Sequence, residues 1–220
     1  MFASIFVGLS LFSNLLMASP PAQVQAHLLS SHEFSLEKRY PNEWVSDIFK
    51  DNILLNMAYM RGIVKNSNEI NWEEVKKPFH YTLKLEPNQV FSFHDDVLPQ
   101  YQGKVVKTAG AHFNWAEGFK SDGWLVGDGV CHLASIINWV ARDANLEVVS
   151  PTNHDFMPIP EIPREFGVSI YNYPGKSSSN ELQNLYIKNN QEKDVTFVFN
   201  YDGKNLKITA SEENPNLASR

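Results

Sequence analysis

Apolar residues that recur every three or four positions predict two main helices in this chain of 220 residues. The first runs from 43 to 60, where Trp44, Ile48 and Leu55 would share one face, and it stops at Gly62. The second runs from 131 to 145 with the same period, and a short helix is expected at 71–76. Because this period matches the turn of an α-helix, each main helix is expected to bury one apolar face.

Alternating apolar and polar residues predict strands, most of which follow the second main helix. The segments are 80–85 and 90–93 before that helix, and 146–150, 167–173, 182–188, 195–200 and 206–210 after it. Asp202 and Gly203 separate the last two and are typical of a hairpin turn. The pattern predicts an α+β fold, in which an antiparallel sheet of late strands packs against a central helix that starts at the cysteine turn, with an N-terminal helical segment.

The N-terminus has the character of an export signal. The first 32 residues carry no charged side chain, and 2–17 is almost wholly apolar. Such a stretch is short for a membrane span of about 20 apolar residues but fits the apolar part of a secretory signal. Small residues at Val24 and Ala26 offer a cleavage site, whereas the first basic residue is Lys38. Residues 1–26 are therefore predicted to be a signal peptide or an N-terminal anchor, with a buried core helix as the alternative.

Length and charge limit what the remaining chain can be. About 190 residues suffice for a main domain, expected over 79–212, preceded by an N-terminal helical segment over 27–78. The net charge is −6, and no basic run is longer than the pair Lys76-Lys77. A nucleic-acid partner is therefore not expected. Membrane contact is expected only through an uncleaved N-terminus, and the predicted location is the extracytoplasmic cell envelope.

Cys131 is the only cysteine, and it lies in a glycine-containing turn that leads into the second main helix. Unpaired N–H groups and the helix dipole at a helix N-terminus favour a thiolate, so the thiol is predicted to be accessible, with a pKa below the value of about 8.5 for free cysteine. Asp128 would act as the N-cap, and its charge would oppose that effect. The alternatives are a buried, inert thiol, since free cysteines are often buried, and a thiol paired between two chains.

A cysteine nucleophile needs a general base, a group that orients the base, and N–H donors for the oxyanion. His154 is the candidate base, because a helix and a strand would return the chain to the turn. Glu165 is the candidate orienting group, with Asp155 and Asn153 as alternatives. The predicted oxyanion donors are the backbone N–H groups of Gly129, Val130 and His132. The side chains expected to line the substrate site are Asp128, Trp124 and Asp155.

No metal or other cofactor is expected. Cys131, His154 and His112 could together form a zinc site, but neither a CxxC nor an HExxH spacing occurs in the sequence to support one.

Several of these segments together resemble the VanW-like family of bacterial cell-envelope proteins. The resemblance covers about 91–210 and depends on Phe91-Ser92-Phe93, the turn before Cys131, His154, the Tyr171-Asn172-Tyr173 strand and the segment 185–190. The family usually has glycine or glutamate where this chain has Asp128, and glutamine where it has His132. The family is named after an accessory protein of glycopeptide-resistance clusters. In certain multidomain relatives the domain is regarded as the catalytic part of an L,D-transpeptidase.

The resemblance and the cysteine turn leave two functions open. The first is a cysteine-dependent acyltransferase, L,D-transpeptidase-like, or an amide hydrolase, acting on peptidoglycan stem peptides. The second is a non-catalytic envelope or peptidoglycan-binding module with a link to glycopeptide resistance. Thiol reactivity in the folded protein separates them, because only the enzyme needs a nucleophilic Cys131.

Overall fold

The computed structural model describes residues 26–213 and has the predicted α+β fold. Of the predicted signal segment 1–26, all but Ala26 lies outside the described residues. Within them, no helix is both long and apolar enough to cross a membrane. The helices are α1 (Glu43–Arg61), α2 (Trp72–Val75), α3 (Val130–Asp143) and α4 (Ser177–Asn180). The strands are β1 (Ala26–Ser35), β2 (Phe79–Leu85), β3 (Val90–Ser92), β4 (Val105–Lys107), β5 (Glu147–Val149), β6 (Tyr186–Lys188), β7 (Val195–Tyr201) and β8 (Asn205–Glu213).

The larger sheet has the strand order β1-β8-β7-β2, and every neighbouring pair is antiparallel. The predicted hairpin joins β7 and β8 and pairs Tyr201 with Leu206. Asp202 fixes the turn, because its Oδ1 accepts the N–H groups of Lys204 and Asn205. Alternate side chains of β7, including Phe197 and Phe199, are buried, so this strand supplies part of the core.

The smaller sheet has the strand order β4-β3-β6-β5, and only β3 and β4 run parallel. The predicted strand at 167–173 does not form. Its amides donate elsewhere: Ser169 to the Thr152 carbonyl, Ile170 to Cys131 and Tyr171 to the Gln183 carbonyl. The segment is thus tied to three separate parts of the chain instead of to one neighbouring strand.

The sequence predicts a helical segment over 27–78, but its main helix, α1, begins only at Glu43. The first part of the segment is β1, which pairs along its length with β8, so that His32 lies opposite Ile208 and Phe34 opposite Leu206. β8 lies far from β1 in the sequence, and the residues of β1 by themselves do not indicate this pairing. α1 begins after the N-cap Asn42 and ends at Gly62, which adopts the left-handed conformation at φ 75°.

Candidate functional site

The cysteine turn packs directly onto α1. Gly129 is the N-cap of α3 and has φ 97°, which favours glycine. A Cβ atom there would lie 2.6 Å from the carbonyl oxygen of Phe49 in α1. The amide of Asn52, also in α1, donates to the carbonyls of Asp128 and Lys120 at 2.9 Å each. The start of α3 is therefore fixed by contacts from α1.

Cys131 is half-buried, and its thiol is hydrogen-bonded on both sides to the backbone of one residue. Its Sγ donates to the Ile170 carbonyl at 3.6 Å and accepts the Ile170 N–H at 3.4 Å. Burial raises the pKa of the thiol to about 11, and the charge of Asp128 adds to the rise, although the Ile170 N–H lowers it. The prediction of a lowered thiol pKa is wrong, because the loss of hydration raises this pKa by more than the field of the helix N-terminus lowers it.

The prediction that Asp128 caps α3 is wrong, because the N-cap residue is Gly129 and no side chain of the described residues caps the helix. The Oδ2 atom of Asp128 accepts the N–H of Asp122 at 2.8 Å, so Asp128 fastens the loop that precedes the turn. Burial raises the pKa of this carboxyl to about 6, and the charge of Asp122 contributes to the rise. Asp128 therefore stabilises the loop that carries Trp124 and does not stabilise the helix start.

His132, buried behind Cys131, is held by two residues that the sequence analysis did not find. The Nε–H of Arg39 donates to His132 Nδ1 at 3.2 Å, and the Tyr40 hydroxyl lies 3.4 Å from Nε2. Burial lowers the pKa of His132 well below its usual value, and the charge of Arg39 adds to this. The ring is therefore neutral, with its proton on Nε2 facing Tyr40. No motif marks Arg39 or Tyr40, which follow β1 more than 90 positions before His132.

His154 is buried and close to His132, with ring centroids 6.5 Å apart. Its Nδ1 is 3.0 Å from the Met157 carbonyl oxygen, and its ring packs against Phe156. Burial lowers its pKa. Among the described residues, no hydrogen bond joins His154 to Cys131. Its role as a general base stays a prediction.

The remaining predicted catalytic groups are also not assembled into a triad. Glu165 is exposed on the short 3-10 helix Arg164–Phe166, and Asp155 is exposed with its carbonyl accepting from Arg164. Neither carboxylate bonds to His154 within residues 26–213. Of the predicted oxyanion donors, the Val130 N–H already donates to the Gly127 carbonyl at 3.0 Å. The described residues include no cluster of three or more histidine, cysteine or acidic side chains arranged to hold a metal ion.

Cys131 instead forms part of the wall of an open groove, called here the Cys131 groove. It consists of two adjoining cavities of about 520 and 320 Å³, which share Leu125, Ile170, Tyr171 and Tyr173. Trp124, in the smaller cavity, is 90% exposed. The Tyr171 and Tyr173 rings stack with centroids 6.3 Å apart. The further residues of the larger cavity are Phe156, Ser169, Lys176, Ser179, Asn180 and Gln183.

Polar contacts hold the aromatic wall of the groove in place. Asn180 is buried, and its amide donates to Asp96 at 2.7 Å and to the Tyr173 carbonyl at 2.9 Å, while its Oδ1 accepts the Tyr173 N–H. Asn172 also donates to Asp96. The segment with the two tyrosines is therefore anchored at its backbone, and the rings remain available to a ligand.

His112, on the lining of the smaller cavity, lies between two carboxylates. Its Nδ1 is 2.8 Å from Glu117 Oε1 and its Nε2 is 3.1 Å from Asp95 Oδ1. Burial alone would lower the pKa of His112, but the hydrogen bond to Glu117 and the charge of Asp95 raise it. When His112 is protonated, both ring nitrogens donate and the cluster as a whole carries one net negative charge.

These features define an α+β protein with an open, aromatic and partly charged groove. The chain belongs to the VanW family: the family model described as "VanW like protein" matches residues 74–210, which confirms the resemblance. Membership indicates a bacterial cell-envelope protein with a link to glycopeptide resistance. No curated protein and no solved structure shows a significant match. β1, α1, Arg39 and Tyr40 precede the matched region.

Proposed function

We propose that this protein is a non-catalytic binding module of the bacterial cell envelope, which binds peptidoglycan stem peptides in the Cys131 groove. The observation that carries the proposal is the double hydrogen bond between Cys131 and the Ile170 backbone, in the wall of an open aromatic groove. The thiol ties α3 to the segment that presents Tyr171 and Tyr173. Cysteine acyl transfer stays a prediction of the sequence.

The state of the thiol favours binding over catalysis. A nucleophilic cysteine acts as a thiolate and needs a base within hydrogen-bond reach. With a pKa raised to about 11, Cys131 is almost wholly protonated at neutral pH. The neighbouring His154 has a lowered pKa and bonds to the Met157 carbonyl. Cys131 is therefore not in its nucleophilic thiolate form, and within residues 26–213 no hydrogen bond pairs it with His154.

The groove has the chemical character of a peptide site. Leu125, Phe156 and the tyrosine rings offer apolar surface for small side chains. Lys176, at the larger cavity, has no ion pair among residues 26–213 and suits a terminal carboxylate. His112 lines the smaller cavity and is paired with Asp95 and Glu117, and the net negative charge of this cluster favours an ammonium group nearby. A stem peptide carries small alanine side chains, a free carboxylate and the amino group of its diamino acid.

The proposal also requires export, for which the charge-free apolar start is the support. Among the described residues β1 begins at Ala26, so cleavage after Ala26 would leave most of its pairing with β8 in place. Mass spectrometry of protein from the producing cell is expected to show a new N-terminus between about 19 and 30. Soluble cytosolic protein with Met1 intact would contradict export.

Calorimetry with a synthetic, sugar-free stem pentapeptide ending in D-alanyl-D-alanine tests the function. Wild-type protein and Cys131→Ala are both expected to bind the peptide, and neither is expected to cleave it. Tyr173→Ala is expected to weaken binding about tenfold, which corresponds to about 1.4 kcal/mol for a lost aromatic contact. Val106→Ala, at an exposed apolar site on β4, is the control.

Two outcomes would overturn the proposal. One is the absence of measurable binding by wild-type protein. The other is release of D-alanine, or dimer formation, by wild-type protein but not by folded Cys131→Ala, which would establish the enzyme instead. Alkylation of the native thiol gives a parallel check, because a thiol with a pKa of about 11 reacts slowly at pH 8.

A further inference from the structure

A second cleft, of about 470 Å³, lies between the start of α1 and the segment that contains Trp115 and Lys120. It shares no lining residue with the Cys131 groove. From α1 it receives Trp44, Asp47, Ile48 and Asp51, whose spacing places them on one helix face. This cleft is called the Trp44–Trp115 cleft.

Both indoles of this cleft are open to solvent. Trp44 is 58% exposed and Trp115 is 65% exposed. Tryptophan is highly buried on average, so two exposed indoles lining one cleft are an unusual use of apolar surface. Neither position is needed to fill the core.

The polar floor of the cleft is charged but balanced. Asp51 is buried, and its carboxylate pairs with Lys76 at 2.7 Å and with Lys120 at 2.6 Å. The Lys120 ammonium also lies 4.2 Å from the centroid of the Trp72 ring. With Asp47 included, two carboxylates face two ammonium groups, so the cleft has no net charge. This balance favours neither an anionic nor a cationic ligand.

The floor is fixed before any ligand arrives. The buried amide of Asn52 accepts the Lys120 N–H at 2.8 Å and donates to the Lys120 carbonyl at 2.9 Å. The 3-10 helix Trp115–Glu117 ends at Gly118, in the left-handed conformation, and the Tyr59 hydroxyl donates to the Glu117 carbonyl at 2.9 Å. A site held in this way loses little entropy on binding.

We propose that the Trp44–Trp115 cleft binds a neutral polysaccharide chain. The C–H faces of pyranose rings would stack on the two indoles, whose π-faces carry partial negative charge. Sugar hydroxyls would donate to Asp47 and accept from the lysine ammonium groups, since a hydroxyl does both. A polyhydroxyl ligand without charge matches two exposed rings above a balanced polar floor. The proposal is independent of the stem-peptide function.

Calorimetric titration of the full chain with two neutral tetrasaccharides, chitotetraose and cellotetraose, tests the proposal. Wild-type protein is expected to bind at least one of them with a Kd in the millimolar range or tighter. Trp44→Ala and Trp115→Ala are each expected to weaken that binding about tenfold, whereas Trp115→Phe retains part of it because a ring remains. Trp124→Ala, which removes an exposed indole from the other groove, is the matched control and is expected to bind as the wild type does.

Two results would overturn the proposal. No binding of either sugar by wild-type protein overturns the proposal, as does binding that Trp124→Ala abolishes while Trp44→Ala leaves it intact. Circular dichroism of each variant confirms folding, and both tested indoles are largely in solvent, so loss of structure is not expected. Failure of the stem peptide to bind would leave this result unaffected, because that probe carries no sugar.

Discussion

The Nε–H group of Arg39 donates a hydrogen bond to Nδ1 of His132 at 3.2 Å, in the buried layer behind Cys131. The Arg39 side chain is 1% exposed, and it also donates to the carbonyls of Ser35 and Pro160. A residue after β1, outside the matched family region, therefore sets the tautomer of the residue next to the cysteine. The family's usual glutamine would meet the same partners, with its oxygen facing Arg39 and its amide facing Tyr40.

His132→Gln is expected to weaken the acid sensitivity of folding. The pKa of His132 is lowered in the folded protein from an ordinary value of 6.5, so below about pH 6.5 the unfolded chain binds more protons. Stability is therefore lost as the pH falls through this range. Glutamine does not titrate, so the slope of unfolding free energy against pH is expected to fall by up to about 1.4 kcal/mol per pH unit.

Urea unfolding of both proteins between pH 5 and pH 7.5 measures this slope. His94 and His154, whose pKa values are also lowered, remain in both proteins, so the difference isolates His132. Equal slopes would show that His132 is not held neutral by its surroundings.

Arg39→Lys is expected to destabilise the protein by about 1–3 kcal/mol, because one ammonium group cannot replace the three donors that reach His132, Ser35 and Pro160. Urea unfolding at pH 7.5 provides the measurement. Arg164→Lys, at an exposed position, serves as the control and is expected to change stability by less than about 0.5 kcal/mol. An unchanged midpoint for Arg39→Lys would show that these three hydrogen bonds contribute little to the stability of the fold.

Gly129→Ala is expected to be more damaging than Gly175→Ala. Both glycines have positive φ, at 97° and 76°, so both variants are strained by about 1 kcal/mol or more. Only at Gly129 would the new Cβ lie 2.6 Å from the Phe49 carbonyl oxygen, whereas nothing lies within 4 Å at Gly175. Thermal unfolding of the two variants therefore isolates the contact between the turn and α1, and equal losses would argue against that contact.

Asp128→Asn is expected to stabilise the protein above pH 6 relative to the wild type. The pKa of Asp128 is raised to about 6 in the fold from an ordinary 3.8, so folding favours the protonated form and stability is lost as the pH rises between these values. Asparagine keeps an oxygen for the Asp122 N–H but carries no charge. Melting temperatures at pH 4 and pH 8 test this, and a difference that does not grow with pH would contradict it.

The sequence by itself determined the elements whose signal is local. The apolar period of α1 and α3 and the Asp202-Gly203 turn between β7 and β8 each depend on residues within a few positions of one another, and all three appear at nearly the predicted bounds. The place of Cys131 in the first turn of α3 is local in the same sense. These features were predictable because helix period and turn geometry are properties of short segments.

Only the tertiary structure decided what those elements do. β1 becomes a strand because β8, 170 or more positions later, supplies its hydrogen bonds. Cys131 lies at a helix N-terminus, yet Ile170 covers its thiol, and burial sets the pKa of that thiol at about 11. Arg39 fixes His132 from 93 positions earlier in the chain. The hydration of a side chain and its hydrogen-bond partners depend on which distant segments come into contact. No local pattern in this sequence predicts those contacts.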